Sequence, residues 1–453
     1  MSRSIACALL LTTAIACCSF WVLQAEETPR FRVATFQSEV TLPLGDLLYS
    51  EPLATVEHPL LAKGIVLDDG GKRYVLCAVD WCTMHNSTHL MFQSKLAAAA
   101  GGEVAHVAVQ CVHQHTAPSF DGSAEELLKK QKNPPQHRNL KSLEEITDRL
   151  ADAVTKSLDA LEPFDCVGLG QAKVDRVASI RRVITPEGKL LTRWSACKDP
   201  ELRAMPEGNI DPMLKTITLA RGEKPLVRMH YYATHPQTYY RDGRASYDFP
   251  GMARQRLQEE EGVFQIYFTG CSGDVTAGKY NDGTPEAREE LAQRLFAGMK
   301  ASVDSTRLSP VEQLQWRTVP VQFTARTDAD RDSEESRSVL ENPEGDPDAR
   351  SQAAGRIACF ERLKQPIELS ALGIGPARIV HLPGEPMIEF QHFAQGLLPG
   401  GFVAVAGYGI GTPGYVCTER AFEEGGYEPS ASAVVPQSEE VVKTAIRQLL
   451  AVE

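Results

Sequence analysis

Two histidines stand two residues apart where an apolar run of the chain ends. The stretch CVHQHTAPSF, residues 111–120, contains His113 and His115 and follows directly on the run GEVAHVAVQCV, residues 102–112. Histidine is the commonest metal ligand and a natural acid or base near neutral pH. In a β-strand, side chains at positions i and i+2 share a face, so both imidazoles could enter one cavity. The pair alone fits either a metal site or the polar start of a loop.

Further candidate ligands follow other apolar runs. His235 ends the stretch HYYATHP, and Glu385 lies in LPGEP, after a Pro-Gly turn. A carboxylate in that position can equally be the N-cap of the next helix. Taken singly, Tyr415 and Tyr427 are typical packing aromatics, and His85 belongs to a lone CxxH that no second pair completes. Two histidines and a carboxylate with an open position have the composition of a catalytic zinc site.

The elements that must position these residues form a pattern of strands alternating with helices. Apolar runs, typical of strands covered on both faces, occupy residues 73–81, 102–112, 225–234, 263–270, 377–383 and 402–409. Amphipathic helical patterns occupy residues 143–161, 250–260, 285–303 and 438–451. The alternation predicts an α/β fold of mixed, mostly buried β-sheets flanked by α-helices, with the active site at the strand ends.

The composition is that of a globular protein whose main partner is not nucleic acid. The 453 residues are 43% hydrophobic and 23% charged, with a net charge of −12. No lysine and arginine cluster interleaves with aromatics, which argues against nucleic acid or an anionic membrane surface as the main partner. Eight cysteines follow residue 25 without any CxxC pair, and we expect most of them to be small buried hydrophobic residues.

Residues 1–25 predict a secretory signal peptide. Arg3 supplies the positive start, IACALLLTTAIACC the apolar middle, and LQA a small-residue cleavage site. A retained membrane anchor and lipidation at Cys17 are the alternatives. We therefore expect an exported protein, periplasmic or secreted. Residues 30–453 are expected to form one catalytic unit, with a charged surface excursion at residues 326–351.

Six motifs in a fixed order give the chain a family resemblance. They are ATFQSEVTLPLG, CVHQHTAPSFDG, YATHPQT with SYDFPGMA behind it, SGDVTAG, LPGEP and GYVCTERAFEEGGYEPSAS. In these motifs the sequence resembles the N-terminal catalytic domain of the neutral/alkaline non-lysosomal ceramidases, zinc amidases that cleave the N-acyl bond of ceramide. The resemblance runs over almost all of the chain after the signal peptide and does not extend to the immunoglobulin-like C-terminal domain of longer members.

The resemblance implies a site and a reaction. Carried over position by position, the ligands of one Zn2+ ion per chain would be His113, His235, Glu385 and Tyr415. His115 would be the general acid or base beside the metal. Arg182, with Arg181 as the alternative in a loosely aligned stretch, and Tyr427 would bind the carbonyl oxygen as negative charge develops. The implied reaction is zinc-assisted hydrolysis of an amide.

The sequence also departs from the family pattern. Thr276 stands where the family has a serine proposed as catalytic. Threonine is stiffer at χ1, so a hydrogen-bonding role survives better than a nucleophilic one. The channel for a long acyl chain cannot be traced in the sequence.

Three functions therefore remain open at this stage. They are hydrolysis of ceramide or a similar lipid amide, hydrolysis of another exported amide or ester (an N-acyl amino acid, lipopeptide or cell-wall fragment), and binding without catalysis. The expected partner is thus a small-molecule or lipid amide substrate, and access to it could involve a peripheral membrane contact. The oligomeric state is left open.

Overall fold

The computed structural model describes residues 30–49, 51–327 and 333–451. The predicted signal peptide, including Cys17, lies outside the described residues. None of the helices in these ranges has the length and apolar character needed to span a bilayer.

The described residues form an α/β structure. In chain order the strands are β1 (Arg32–Glu39), β2 (Thr55–Val56), β3 (Leu61–Asp68), β4 (Arg73–Val79), β5 (Thr83–His85), β6 (Val107–Cys111), β7 (Ser119–Asp121), β8 (Glu162–Pro163), β9 (Cys166–Lys173), β10 (Ser179–Ile180), β11 (Arg182–Ile184), β12 (Leu190–Thr192), β13 (Met213–Arg221), β14 (Lys224–Tyr232), β15 (Arg244–Ala245), β16 (Phe264–Thr269), β17 (Val275–Thr276), β18 (Arg307–Pro310), β19 (Leu314–Val321), β20 (Ile367–Ile374), β21 (Ala377–His381), β22 (Glu385–Pro386), β23 (Phe402–Ala406) and β24 (Tyr415–Val416). The helices are α1 (Asn86–Ala100), α2 (Gly122–Lys129), α3 (Leu140–Ser157), α4 (Pro200–Ala204), α5 (Asp248–Glu261), α6 (Pro285–Asp304), α7 (Ser333–Glu341), α8 (Pro347–Leu363), α9 (Ile388–Gly396), α10 (Glu419–Glu424), α11 (Tyr427–Ala431) and α12 (Ser438–Leu450). The predicted α/β class is confirmed.

Three sheets share four strands arranged in one topology, and in two of the sheets a fifth strand, β8 or β18, is added at the edge. Their strand orders are β6-β4-β3-β1-β8, β16-β14-β13-β9-β18 and β23-β21-β20-β19. In the first sheet, β1 pairs antiparallel with β3, β3 forms an antiparallel hairpin with β4, and the chain then passes through α1 to β6, which pairs parallel with β4. The strands β9, β13, β14 and β16 repeat this order in the second sheet, and β19, β20, β21 and β23 repeat it in the third. A second helix then packs back on the unit: α3 on α1, α6 on α5, and α12 on α9. The chain therefore repeats one strand–hairpin–helix–strand–helix unit three times.

The six apolar runs of the sequence are the six strands that pair in parallel within the three large sheets. They correspond to β4, β6, β14, β16, β21 and β23, and the four helical patterns correspond to α3, α5, α6 and α12. Strands covered on both faces are apolar throughout because neither side meets water. Every residue of β6, for example, is buried. These predicted elements are confirmed, with ends that differ by a few residues.

One apolar core joins the three sheets. It contains Ile65 of the first sheet, Ile217 of the second and Ile379 of the third, and all three are fully buried. The carboxyl ends of the parallel strands from different sheets can therefore face a common centre. Six of the eight cysteines after residue 25 are buried, as expected for small hydrophobic residues.

Part of the charged segment 326–351 packs against the rest of the protein. It contains α7 and the start of α8, and residues 328–332 lie outside the described ranges. Helices α7 and α8 share a small apolar cluster with α2, to which Leu340 and Ala354 contribute. Arg350 is buried, and its guanidinium donates to backbone carbonyl oxygens of residues 132, 133 and 340. The arginine is accommodated because chain carbonyls satisfy its donors.

Candidate metal centre

Each of the three sheets contributes one side chain to a common cluster. His113 lies in the loop after β6, His235 in the loop after β14, and Glu385 in β22, which follows β21. Both histidines are buried, and the Glu385 side chain is 15% exposed. Ligands commonly bind outside the carboxyl ends of parallel strands, as they do in open α/β sheets.

The three side chains present their tips to one another. His113 Nε2 lies 2.9 Å from His235 Nε2. The Glu385 Oε2 atom lies 3.2 Å from His113 Nε2 and 3.3 Å from His235 Nε2. The three atoms form a nearly equilateral triangle whose side chains come from residues 122 to 272 positions apart in sequence.

The other ring nitrogen of each histidine faces a backbone carbonyl. His113 Nδ1 lies 2.8 Å from Cys82 O, and His235 Nδ1 lies 2.6 Å from Ser272 O. A carbonyl oxygen only accepts hydrogen bonds, so each Nδ1 carries the proton. In the neutral imidazoles both Nε2 atoms then present lone pairs, as does the ionised Glu385 carboxylate. Metal-ligating histidines characteristically donate their second nitrogen to such a group.

The triangle fits a metal ion. Zinc binds imidazole nitrogen and carboxylate oxygen at about 2.0–2.2 Å. A point at that distance from all three atoms lies about 1 Å out of their plane, because the sides of the triangle are close to 3 Å. The open side of the triangle would leave room for further ligands.

The electrostatics of the cluster favour one positive charge at its centre. Burial opposes protonation of His113, but the Glu385 carboxylate raises the His113 pKa to about 10. Burial opposes ionisation of Glu385, yet the two imidazoles hold its pKa well below the ordinary value. Burial and the neighbouring His113 lower the pKa of His235 to about 3. The charge that these groups stabilise can be a proton or a metal ion.

A second set of groups, Cys82, His113 and His115, also has its potential ligand atoms close together. This set suits a metal less well. The Cys82 thiol lies 3.9 Å from His113 Nδ1, but that nitrogen already donates to the Cys82 carbonyl. Burial raises the pKa of Cys82, whereas a metal ligand must be a thiolate. We therefore assign the centre to His113, His235 and Glu385.

The histidine pair is held by a loop and not by a strand. Strand β6 ends at Cys111, so the expected i, i+2 strand face does not exist for His113 and His115. Instead His113 adopts a left-handed backbone with φ of 74°, and its N–H donates to Trp81 O at 2.9 Å. Its ring stacks on Tyr408 with the centroids 4.0 Å apart. The two imidazoles still meet, with ring centroids 4.9 Å apart.

Glu385 is not a helix cap. The N-cap position of α9 is Met387, and the Glu385 side chain turns toward the histidines. The preceding Gly384 has φ of 61°, and a Cβ there would lie 2.2 Å from the Gly414 carbonyl oxygen. The turn therefore requires glycine, which lets β22 run parallel to β24 with Glu385 opposite Tyr415.

His115 adjoins the cluster without belonging to the triangle. Its ring centroid lies 5.6 Å from that of His235. Both of its ring nitrogens are buried, and neither has a hydrogen-bond partner among the described residues. Burial and the two neighbouring imidazoles lower the pKa of His115 well below its usual value. A neutral imidazole with an available nitrogen therefore lies beside the triangle.

Arg181, and not Arg182, faces the cluster. Arg181 Nη1 donates to Tyr415 Oη at 3.1 Å, and its guanidinium carbon lies 5.4 Å from the Tyr427 ring centroid. Arg182 turns the other way and pairs with Glu424 and Glu428. Adjacent residues of an extended chain point to opposite faces, so only one of the two arginines can reach the site. Of the two alternatives, Arg181 is therefore the one whose side chain reaches the cluster.

The two expected tyrosines and Thr276 differ in their relation to the cluster. Tyr415 is buried next to Glu385 through the pairing of β22 with β24. Tyr427 is 40% exposed, with its ring centroid 5.5 Å from that of Tyr415. Thr276 is buried, and its hydroxyl accepts a hydrogen bond from Gly278 N at 3.1 Å. That bond holds the loop after β17, and Thr276 bridges His235 through the backbone.

Sequence reasoning missed three supporting residues. Tyr408 stacks on His113, and its hydroxyl lies 2.7 Å from Ser272 Oγ. Ser272 presents the carbonyl that fixes the His235 ring. The buried Glu428 carboxylate contacts both Arg181 and Arg182. All three lie in stretches that the sequence analysis names, but residue type alone does not distinguish them from packing or surface residues.

Fold and site together define an α/β protein with a cluster of potential metal ligands at strand ends, and two solved structures share its fold. One is neutral ceramidase from Pseudomonas aeruginosa, with a TM-score of 0.69 and 14% identity, over 94% of this chain and 75% of that one. The other is a structure of ceramidase complexed with C2, with a TM-score of 0.69 and 13% identity, over 94% and 76%. No protein-family model and no curated protein matches the chain. The chain has the neutral ceramidase fold, as the resemblance predicted.

The geometry predicts one tightly bound divalent metal per chain. Replacing both His113 and His235 by alanine removes two of the three triangle residues, so bound zinc should fall from about one equivalent to near zero. Metal content after desalting, measured by atomic emission, checks this. The control is His137→Ala, since His137 is exposed and should leave the metal content unchanged. A folded double variant that retains one equivalent would contradict the ligand assignment.

Proposed function

We propose that this protein is an exported, zinc-dependent hydrolase that cleaves an N-acyl amide bond. The observation that carries the proposal is the triangle of His113, His235 and Glu385 with the unligated His115 imidazole beside it. Such a pairing of metal ligands with an acid/base group suits hydrolysis. The ceramidase fold supports an amide as the substrate, and the signal-peptide pattern of residues 1–25 supports export.

The metal would supply Lewis acidity and an activated water at neutral pH. His113 and His235 would hold it through Nε2, Glu385 through Oε2, and Tyr415 would complete the set from the neighbouring strand. His115 would take the proton from the attacking water and deliver it to the departing amine nitrogen. A positioned acid/base of this kind contributes about a hundred- to ten-thousandfold in rate.

Arg181 and Tyr427 would hold the substrate carbonyl oxygen. The Arg181 guanidinium is buried and lies against the rings of both Tyr415 and Tyr427. Its salt bridge to the buried Glu428 fixes it in place, so it need not reorganise as negative charge develops. Thr276 would act only through the backbone turn that carries His235.

Exposed aromatic rings near the centre support a substrate with an apolar arm. Trp194 is 51% exposed and packs edge-on against Tyr427, with the ring centroids 5.1 Å apart. Tyr240 is 46% exposed and lies 5.7 Å from His115, ring centroid to ring centroid. Exposed aromatics beside a catalytic cluster are typical of binding surfaces. Ceramide or a similar lipid amide would suit this surface.

A substrate panel tests the proposed reaction. The zinc-loaded protein should release fatty acid from N-acyl sphingosines or N-acyl amino acids of matched chain length. Chelation should abolish the release and added zinc should restore it, because the metal provides the activated water. Mass spectrometry of the products measures this. Failure to cleave any amide of the panel, with zinc bound, would contradict the proposal.

His115→Ala should separate metal binding from catalysis. Since His115 is not part of the triangle, the variant should keep its zinc. Loss of the proton carrier should lower kcat by about a hundredfold or more. Metal analysis and steady-state kinetics on the same preparation check both halves. Undiminished kcat would remove His115 from the mechanism.

The two adjacent arginines should differ sharply. Arg181→Gln removes the buried donor next to Tyr415 and should lower kcat by roughly a hundredfold. Arg182→Gln, the matched control, removes only the bonds to Glu424, Glu428 and the Gly425 carbonyl, and should cost less than about tenfold. Steady-state kinetics on zinc-loaded, folded variants measure the two kcat values. A larger loss of kcat in Arg182→Gln than in Arg181→Gln would assign the oxyanion-binding role to Arg182 instead.

A further inference from the structure

A cavity of about 740 Å³ lies beside the metal centre. Helices α2 and α8, the segment 135–138 and the loops around residues 412 and 431 enclose it. None of the three triangle residues lines it. Tyr49 links the two sites, because it lines the cavity and its ring centroid lies 6.3 Å from that of His115. A substrate held at the metal could therefore extend past Tyr49 into the cavity.

Arg241 also lines the cavity next to this link. Its guanidinium carbon lies 5.4 Å from the Tyr49 ring centroid and 5.0 Å from that of Tyr240. Both tyrosine rings lie within ring-contact distance of His115. The rings of Tyr49 and Tyr240 therefore lie between the Arg241 guanidinium and the His115 imidazole, which we propose as the acid/base group.

Arg241 is exposed, and no ion pair within the described part of the protein compensates its charge. No carboxylate in the described part of the chain lies within ion-pairing distance of its guanidinium. Two carboxylates that line the cavity already have partners within the protein. Asp121 caps α2 and accepts a hydrogen bond from the Asn86 side chain, and Glu125 forms an ion pair with Arg138. The remaining lining carboxylate, Asp348, is exposed in the first turn of α8.

A second lining arginine adds to the positive character of the cavity. Arg356 donates through Nε to Ser336 Oγ at 3.0 Å, and it too has no ion-pair partner among the described residues. Its other nitrogen atoms are therefore not engaged by a carboxylate. Planar guanidinium groups bind carboxylate and phosphate oxygens with two parallel hydrogen bonds.

The backbone of Arg241 is also unusual. Its φ of 53° is left-handed, a conformation that few residues other than glycine adopt. Such strain persists only where the surrounding structure imposes it, and it concentrates at ligand-binding segments. Here it fixes an arginine between two tyrosines at the edge of the cavity.

We propose that the cavity receives an anionic group of the substrate and that Arg241 is the residue that selects for it. The inference rests on the proposed amide hydrolysis and narrows its substrate to an amide that carries a carboxylate or phosphate, such as an N-acyl amino acid. Neutral ceramide lacks that group. The apolar arm would lie toward Trp194 and Tyr427, and the anionic arm toward Arg241.

Binding without turnover tests this inference. The parent protein is zinc-loaded His115→Ala, and the probes are dodecanoylglycine and the neutral dodecanoylglycinamide. Calorimetry should show the acid binding about tenfold more tightly, because Arg241 engages its carboxylate. Adding Arg241→Gln should abolish this preference, and Arg241→Lys should retain part of it. Arg307→Gln, at an exposed position on the second sheet, is the matched control and should change nothing.

A second pair of probes distinguishes the two anions. The affinity of dodecanoylethanolamine phosphate is compared with that of neutral dodecanoylethanolamine to measure the preference for a phosphate. The anion that gives the larger preference over its neutral counterpart is the one that the cavity selects. Equal affinity for charged and neutral probes, or no binding of either, would overturn the inference. So would a preference that survives Arg241→Gln, since the metal would then hold the anion. Cleavage of no amide at all would refute the proposed function while leaving an Arg241-dependent preference intact.

Discussion

Two imidazole nitrogens and one carboxylate oxygen face one another at about 3 Å, and a proton or a metal ion shared among them makes that arrangement favourable. The backbone carbonyls of Cys82 and Ser272 orient the two imidazoles, because each accepts a hydrogen bond from Nδ1 and so leaves Nε2 facing the cluster. Burial strengthens the effect by excluding the water that would otherwise screen the lone pairs. The stacked Tyr408 ring, the glycine turn before Glu385 and the left-handed backbone of His113 all serve to maintain this geometry.

The threefold repeat of the fold explains how residues so distant in sequence converge. Each unit ends its parallel strands at the same centre, and each provides one potential metal ligand from the segment that follows one of those strands. The units need not resemble one another in sequence, because the topology requires only apolar strands and helices of suitable length. The loops are therefore free to differ, and His115, Arg181 and Arg241 come from loops of different length and conformation. Chemistry is concentrated where the three sheets meet.

Part of this could be predicted from the sequence, for physical reasons. The parallel strands were predictable because burial on both faces leaves only apolar residues. The antiparallel strands β1 and β19 mix buried, half-buried and exposed positions, and that weaker pattern was missed. Helix α1 was missed as well, because its apolar residues do not form a single stripe. Local periodicity could not show that His113 leaves the strand, nor which of Arg181 and Arg182 faces inward, since tertiary contacts decide both.

The central claim is that the lone pairs of His113, His235 and Glu385 bind one metal ion. Zinc-edge X-ray absorption on the purified protein measures the ligand atoms directly. The structure predicts a first shell of nitrogen and oxygen only, at about 2.0–2.2 Å. A sulfur scatterer at about 2.3 Å would place the ion on Cys82 instead. That result, or the absence of bound zinc, would contradict the account.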